Sequence, residues 1–309
     1  MIDAPSSTWF TTAPHWQWYI VFYFFFGGLA GGSYFLAVLI DFAGHPDDRP
    51  LARLGYYVAF PLVAVSGLLL TVDLGQPLRF WHMLIERNTF QPMFKAWSPM
   101  SIGSWALLLF GLFTFLSFVI ALAEDDHRWP VFDRLRLPWK ALRRSGHRSS
   151  AARVIGVLGG ATGLYVAGYT GVLLAVTNRP IWSDTPLLGT LFIVSAGSTS
   201  AALLILLAVR RGWNSPGLAA LHRMDDWVIV LEVFVLIAVM ISLGPVLRAW
   251  FNVWGVLLLL VVALGMIAPL ALSWRAERFR YRELRTAALL VLAGGFLLRV
   301  VIVLSSEGI

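Results

Sequence analysis

Apolar residues run along this chain in long, unalternating blocks separated by short polar stretches. About 20 consecutive apolar residues carry a helix across a bilayer. Eight blocks reach that length, near residues 16–41, 53–74, 99–123, 154–177, 187–209, 227–244, 251–273 and 285–304. Inside lipid only helices and closed barrels satisfy their own backbone, and runs of this length without alternation are helical. The pattern predicts an all-α integral membrane protein.

Two stretches repeat at a constant offset. Leu74-Gly75-Gln76-Pro77-Leu78-Arg79-Phe80-Trp81 ends the second block, and Leu243-Gly244-Pro245-Val246-Leu247-Arg248-Ala249-Trp250 ends the sixth. The same offset sets Gly28 on Gly197, each inside a cluster of small residues. Two four-helix halves in the same orientation follow, a parallel 4+4 repeat. Its parts would be a segment 1–15, a first half over 16–152 completed by helix 4 at 153–177, and a second half at 187–304. Gly27/Gly31 and Gly28/Gly32 have the spacing that lets helices approach closely. Packing is their first expected use, and a flat surface for a cofactor the second.

Composition agrees with lipid. Of 309 residues 58% are hydrophobic and 13% charged, against about 25% charged in soluble domains. The first fifteen residues hold Asp3 and no Lys or Arg, so the basic start of a cleavable signal peptide is missing and the first span is expected to be permanent. A net charge of +7 on a soluble protein would suggest nucleic acid. Here the distribution gives it another meaning, and no nucleic-acid partner is expected. Call the side of the connections after spans 2, 4 and 6 side A. It carries Arg79, Arg87, Lys95, Arg179 and Arg248, whereas side B carries eighteen basic residues and Arg299 lies within a span. The positive-inside rule puts side B in the cytoplasm. Both termini and side A would then be periplasmic, in a bacterial inner membrane. Trp9, Trp16, Trp18, Trp97, Trp105, Trp250 and Trp254 fall at span ends, where anchoring at the interface is their ordinary role.

Ionisable groups inside lipid cost at least ~2.5–3.5 kcal/mol on insertion scales and are functional suspects by default. Asp41 closes span 1 at side B, and Glu232 lies in span 6 about two turns from that side. Asp73, Arg79, Arg248 and Arg299 project near side A, together with Tyr23 and Tyr169, and with His15 and His82 close by. This predicts one polar layer near the outer face, suited to a proton-exchanging head group. The plain alternative is an Asp73–arginine pair that only holds helices together. Glu232 and Asp41, with Arg299 and Arg248, are candidates for a proton path. Glu232 could equally bond a backbone carbonyl.

Several chemistries are excluded. There is no cysteine, hence no iron–sulfur ligand set and no disulfide. The six histidines all fall in termini or connections, so a bis-histidine haem is not expected. No GxxxxGK[ST] motif is present. Any redox chemistry must use an organic carrier and a neighbouring subunit.

Four stretches then point to a family. They are the glycine run 27–32 with Trp16, Trp18 and Tyr23 before it; Asp73-Leu74-Gly75-Gln76-Pro77-Leu78-Arg79-Phe80; Ser98-Pro99-Met100-Ser101-Ile102-Gly103-Ser104-Trp105; and Tyr169-Thr170-Gly171-Val172-Leu173-Leu174, continuing through Arg179-Pro180-Ile181-Trp182 to Pro186-Leu187-Leu188. In this order, over essentially the whole chain, they resemble the NrfD/PsrC family, the membrane subunits of polysulfide reductase and related complexes. The resemblance implies two four-helix bundles, no haem or other fixed redox centre, and an exchangeable quinone, such as menaquinone, bound near the periplasmic face. It implies a ferredoxin-like, four-cluster iron–sulfur subunit docked there, serving a molybdopterin catalytic subunit. The polysulfide-reductase subunit has an Asn and a His before its glycine run as quinone ligands, and Ile20 and Tyr23 stand at those positions here. The family's functional tyrosine matches Tyr169, with Tyr165 as the fallback.

On this footing Tyr23 and Tyr169 would bond the quinone oxygens, and Asp73 would accept or relay protons. Arg79, Arg248 or Arg299 would keep Asp73 charged. Trp16 and His82 would complete the binding site, and the connection 75–97 would dock the iron–sulfur partner. Two rivals stay open. A transporter or channel would break its helices around Gly31–Gly32 and 197–200 and hold a polar midplane cavity. A passive anchor would have no quinone site.

Overall fold

The computed structural model describes residues 16–125, 149–213, 215–275 and 281–308. The N-terminal segment 1–15, with Trp9 and His15, and most of the basic side B connection, with His127 and His147, lie outside the described residues.

Seven α-helices are continuous: α1 Trp18–Ala43, α2 Arg49–Asp73, α3 Pro99–Glu124, α4 Ser150–Ala175, α5 Leu188–Arg210, α6 Pro216–Leu243 and α8 Tyr281–Leu304. The seventh span, α7, has three pieces end to end. They are α-helical Val253–Leu260, π-helical Val261–Ile267 and α-helical Ala268–Arg275. Among the described residues, eight helical segments are long and apolar enough to cross a membrane. The protein is a multi-pass membrane protein.

Four helices start earlier than hydropathy predicts: α4 at Ser150 instead of 154, α8 at Tyr281 instead of 285, α2 at Arg49 instead of 53 and α6 at Pro216 instead of 227. Charged residues lie in their early turns, so an apolar window misses them, yet local chemistry starts α2 and α6 there. Proline occupies the first turn of each, where its missing N–H costs nothing. The Ser215 hydroxyl accepts from the Leu218 amide at 3.2 Å, an ordinary N-cap. A carboxylate helps from outside α6. Buried Asp48 accepts from the Gly217 amide at 2.8 Å and from the His45 amide at 3.1 Å. A Cβ at Gly217 would run into that carboxylate, so glycine is required for the contact.

α1 packs on α2, α4 and α5; α3 packs on α2 and α4; α5 packs on α4, α6 and α8; and α8 packs on α7. α1, α4, α5 and α8 are mostly enclosed, whereas α2, α6 and α7 show most of their surface to the outside. The small-residue clusters explain the tight centre. A Cβ at Gly31 would collide with the Gly163 carbonyl of α4, and one at Gly32 with Ser200 of α5. The Ser200 hydroxyl donates to the Leu29 carbonyl at 3.2 Å. These clusters therefore serve packing. α1 and α5 run unbroken through them, unlike the broken pair a transporter would need. The irregular helix is α7 instead. Within its π-helical turn Gly265 lies on Gly294 of α8, and a Cβ on either would meet the other's Cα.

α2 and α6 end alike. Each runs into a glycine of positive φ, Gly75 at 66° and Gly244 at 50°, and then into a 3-10 segment, Pro77–Met83 and Gly244–Trp250. Only glycine adopts that backbone without strain. The repeated Leu-Gly pair of the sequence thus marks the same local stop twice.

Candidate functional site

The first four helices enclose a cavity of about 600 Å³ that reaches from the side A end of α2 toward its middle. Among the predicted site residues, Trp16, Tyr23, Asp73 and Tyr169 line it, together with Ile20. Five elements supply its walls: α1, α2, α3, α4 and the 3-10 segment after α2. Most of the lining is aliphatic or aromatic, and the polar groups are few, which is the usual make-up of a small-molecule site.

Three of its polar groups stand without partners. Among the described residues, neither the Tyr23 hydroxyl, nor the Tyr169 hydroxyl, nor the Asp73 carboxylate has a hydrogen bond or ion pair. A phenol can donate one hydrogen bond and accept others, so three groups in one apolar cavity are free to bind something. Tyr169 owes its position to a missing side chain. A Cβ at Gly103 of α3 would overlap the Tyr169 phenol, so the ring is seated on bare backbone. Tyr165 stacks on Tyr169 at 5.8 Å and does not line the cavity. Trp16 stacks on Trp182 at 5.4 Å, and the Trp182 indole N–H donates to the Ile302 carbonyl at 2.7 Å.

The single polar layer expected near side A divides into separate places. Asp73 has no arginine within ion-pair reach among the described residues. Arg79 and Arg248 are exposed in the two 3-10 segments. The cavity takes Phe80 and Met83 from the first of these, not Arg79 or His82. His82 lies against Trp81 with ring centroids 3.9 Å apart, and its Nε2 is enclosed with no hydrogen-bond partner. Arg299 is only 1% exposed and belongs to a second cluster. Its Nη1 donates to the Ser195 hydroxyl at 2.6 Å and to the Gly295 carbonyl at 2.8 Å. Its guanidinium also lies 5.3 Å from the Phe192 ring centre. In the same cluster the Ser198 hydroxyl donates to Glu232 Oε2 at 2.8 Å. A buried guanidinium needs acceptors. α5 and the α8 backbone supply them, and that draws Arg299 away from Asp73.

At side B, Asp41 accepts from the Tyr56 hydroxyl at 2.7 Å and lies 3.6 Å from Arg49, which also pairs with Glu124 at 2.5 Å. Asp41 thus belongs to an ionic network closing that end. Trp250, expected at the interface, is buried, with its indole N–H on the Ser305 hydroxyl at 3.0 Å.

One acid escapes a reading by hydropathy. Asp225 of α6 is buried, and its Oδ1 has no hydrogen-bond partner among the described residues. It falls outside the sixth apolar block, which starts at Trp227. A signal is present all the same: Asp225 and Glu232 are seven residues apart, hence on one helical face.

Three relatives bear on this arrangement. The C component of polysulfide reductase from Wolinella succinogenes is 27% identical, the alignment taking in 94% of both proteins. Protein NrfD of Escherichia coli is 29% identical, with 84% of both aligned. The C component of selenate reductase from Mesobacillus selenatarsenatis is 26% identical over 64% of this chain, which spans about half of that relative, 48%. The family model described as polysulphide reductase, NrfD, matches residues 10–307. The chain therefore belongs to the NrfD family of polysulphide-reductase-type membrane subunits.

Proposed function

We propose that this chain is the membrane subunit of a multi-subunit respiratory reductase and exchanges electrons and protons with a quinone at the cavity of the first four helices. The observation that carries this reading is the meeting of Tyr23, Tyr169 and Asp73, their polar groups without partners among the described residues, in one apolar cavity of about 600 Å³. A quinone has two oxygens that need hydrogen bonds and an apolar body that needs none, and the lining fits both. Two relatives, the polysulfide reductase and selenate reductase components, bear names that support membership of a larger reductase complex.

In the quinol-oxidising direction the residues of the protein divide the work. Tyr23 and Tyr169 donate hydrogen bonds to the oxygens and fix the ring. Asp73, half-buried at the side A end of α2, takes the two quinol protons in turn as the two electrons leave and releases each to side A, since a base must be within reach of each proton it removes. Two electrons pass to an iron–sulfur subunit, which serves a molybdopterin catalytic subunit. That partner docks on the connection 75–97, where Leu78, Phe90 and Trp97 are 88%, 74% and 81% exposed. Apolar side chains so exposed beyond the spans mark an interaction surface. Side A is periplasmic on the charge argument. We read the shared endings of α2 and α6 as part of a parallel repeat of two four-helix halves, α1–α4 and α5–α8. Glu232 and Arg299 are proposed as proton-handling groups of the second half. Asp41 would serve the side B end, and Arg248, exposed at side A, would stand at the outer mouth.

Asp73→Asn should abolish quinol-dependent electron transfer in the purified complex while assembly, followed by size-exclusion chromatography, stays intact. Normal turnover in that variant would remove Asp73 from the mechanism.

A further inference from the structure

Three glycines line the cavity, and they do different things. Gly103 makes room for the Tyr169 ring. Gly67 of α2 and Gly111 of α3 make room for nothing among the described residues: a Cβ on either meets none of their atoms within 4 Å. Glycine inside a helix costs roughly 0.5–1 kcal/mol relative to alanine. At the crossings of α1 with α4 and α5 close packing repays that cost, because Gly31 and Gly32 touch backbone or side chain there. At Gly67 and Gly111 no contact does, and the space they leave is cavity.

The same stretch of cavity opens sideways. Ala64 of α2 and Leu108 and Leu112 of α3 line it and are themselves exposed on the outer surface. The opening therefore lies between α2 and α3, on the face a multi-pass protein turns to lipid. It is continuous with the head-group end, since lining residues run along α2 from Asp73 to Phe60, about 20 Å at the helical rise. The backbone here is also muted. The Thr71 hydroxyl donates to the Gly67 carbonyl at 2.8 Å, and the Thr114 hydroxyl donates to the Gly111 carbonyl at 2.9 Å. Carbonyls left bare by glycine thus have a partner inside the protein, and the groove wall stays apolar.

We infer that Gly67 and Gly111 form a lateral portal between α2 and α3 that takes the isoprenoid tail of a long-chain quinone, its head group lying against Tyr23, Tyr169 and Asp73. This rests on the quinone reading above and adds the route of entry and the tail subsite. The pair selects for ligands with a slender apolar tail and lets them arrive from the bilayer.

The test compares two quinols on the intact complex in detergent, one with a long isoprenoid tail and a naphthoquinol with none. Gly67→Leu and Gly111→Leu should raise KM for the long-tailed quinol at least tenfold and leave the tail-free quinol within twofold. A second measurement does not depend on bulky variants folding. The protein has no cysteine, so Gly67→Cys supplies its sole thiol. Modification of that thiol by a small maleimide, read as the mass of this polypeptide, should be slowed by the long-tailed quinone and not by the tail-free one. Equal effects of both quinones in these assays would overturn the portal, with an ordinary lipid acyl tail then the occupant of the groove. A wild-type complex idle with both quinols would overturn the quinone reading itself.

Discussion

The protein holds two groups of polar side chains among apolar helices, and they are built on opposite terms. In the cavity of the first four helices the phenols of Tyr23 and Tyr169 and the Asp73 carboxylate have no hydrogen-bond or ion-pair partner among the described residues. In the cluster of α5, α6 and α8, Arg299 and Glu232 are held by Ser195, Ser198 and a backbone carbonyl. A buried polar group without a hydrogen bond is costly. The second cluster meets most of that cost within the fold, although Arg299 Nε has no partner among the described residues. The first has left it open beside a space large enough for a ligand. One group is part of what keeps the helices in register, and the other is kept available.

That contrast can be broken by measurement. The largest effect is expected from Arg299→Leu. It leaves Ser195, the Gly295 carbonyl and Glu232 without their cation, and breaking a buried charge arrangement costs ~3–5 kcal/mol. The melting midpoint of the solubilised protein should fall further than for any cavity variant. Gly103→Ala comes next. Its Cβ has to displace the Tyr169 ring, and overpacking of this kind costs about 1–3 kcal/mol. Quinol turnover should drop more than stability does, since the displaced group is the one proposed to bind. The smallest effect on stability belongs to Tyr23→Phe and Tyr169→Phe. Each removes a hydroxyl that no protein group uses, so the melting midpoint should stay near that of the wild type, a change below about 0.5 kcal/mol, while quinol turnover falls. A Tyr169→Phe protein that melts as early as Arg299→Leu would show that the two groups are not different in kind.

The spans are readable in the sequence because their apolar blocks are long and lipid permits few alternatives. Their ends are harder. α2 and α6 run past the apolar window through Arg49, Arg53, Arg223 and Asp225, and proline, Ser215 and Asp48 set those starts rather than hydropathy. Depth along a span is also readable, which brings Tyr23, Tyr169, Asp73 and Trp16 to one place. Azimuth is not. Arg299 has a depth similar to that expected for the cavity groups, yet it turns into a different cluster, because its acceptors are on α5 and α8. The π-helical turn of α7 leaves no mark in a run as uniformly apolar as Val261–Ile267, since its partner is a glycine almost thirty residues away.

The stacked pair Trp16–Trp182 has a practical consequence. One indole forms part of the cavity wall, and the other is fixed by its hydrogen bond to α8. Any aromatic, electron-accepting molecule that enters comes within contact of an emitter whose neighbour cannot move away. Occupancy of the cavity should therefore be legible as quenching of the protein's own fluorescence, with Trp16→Phe as the subtraction that isolates the signal from the other thirteen tryptophans. The molecule holds its own optical gauge of whether the chamber is filled.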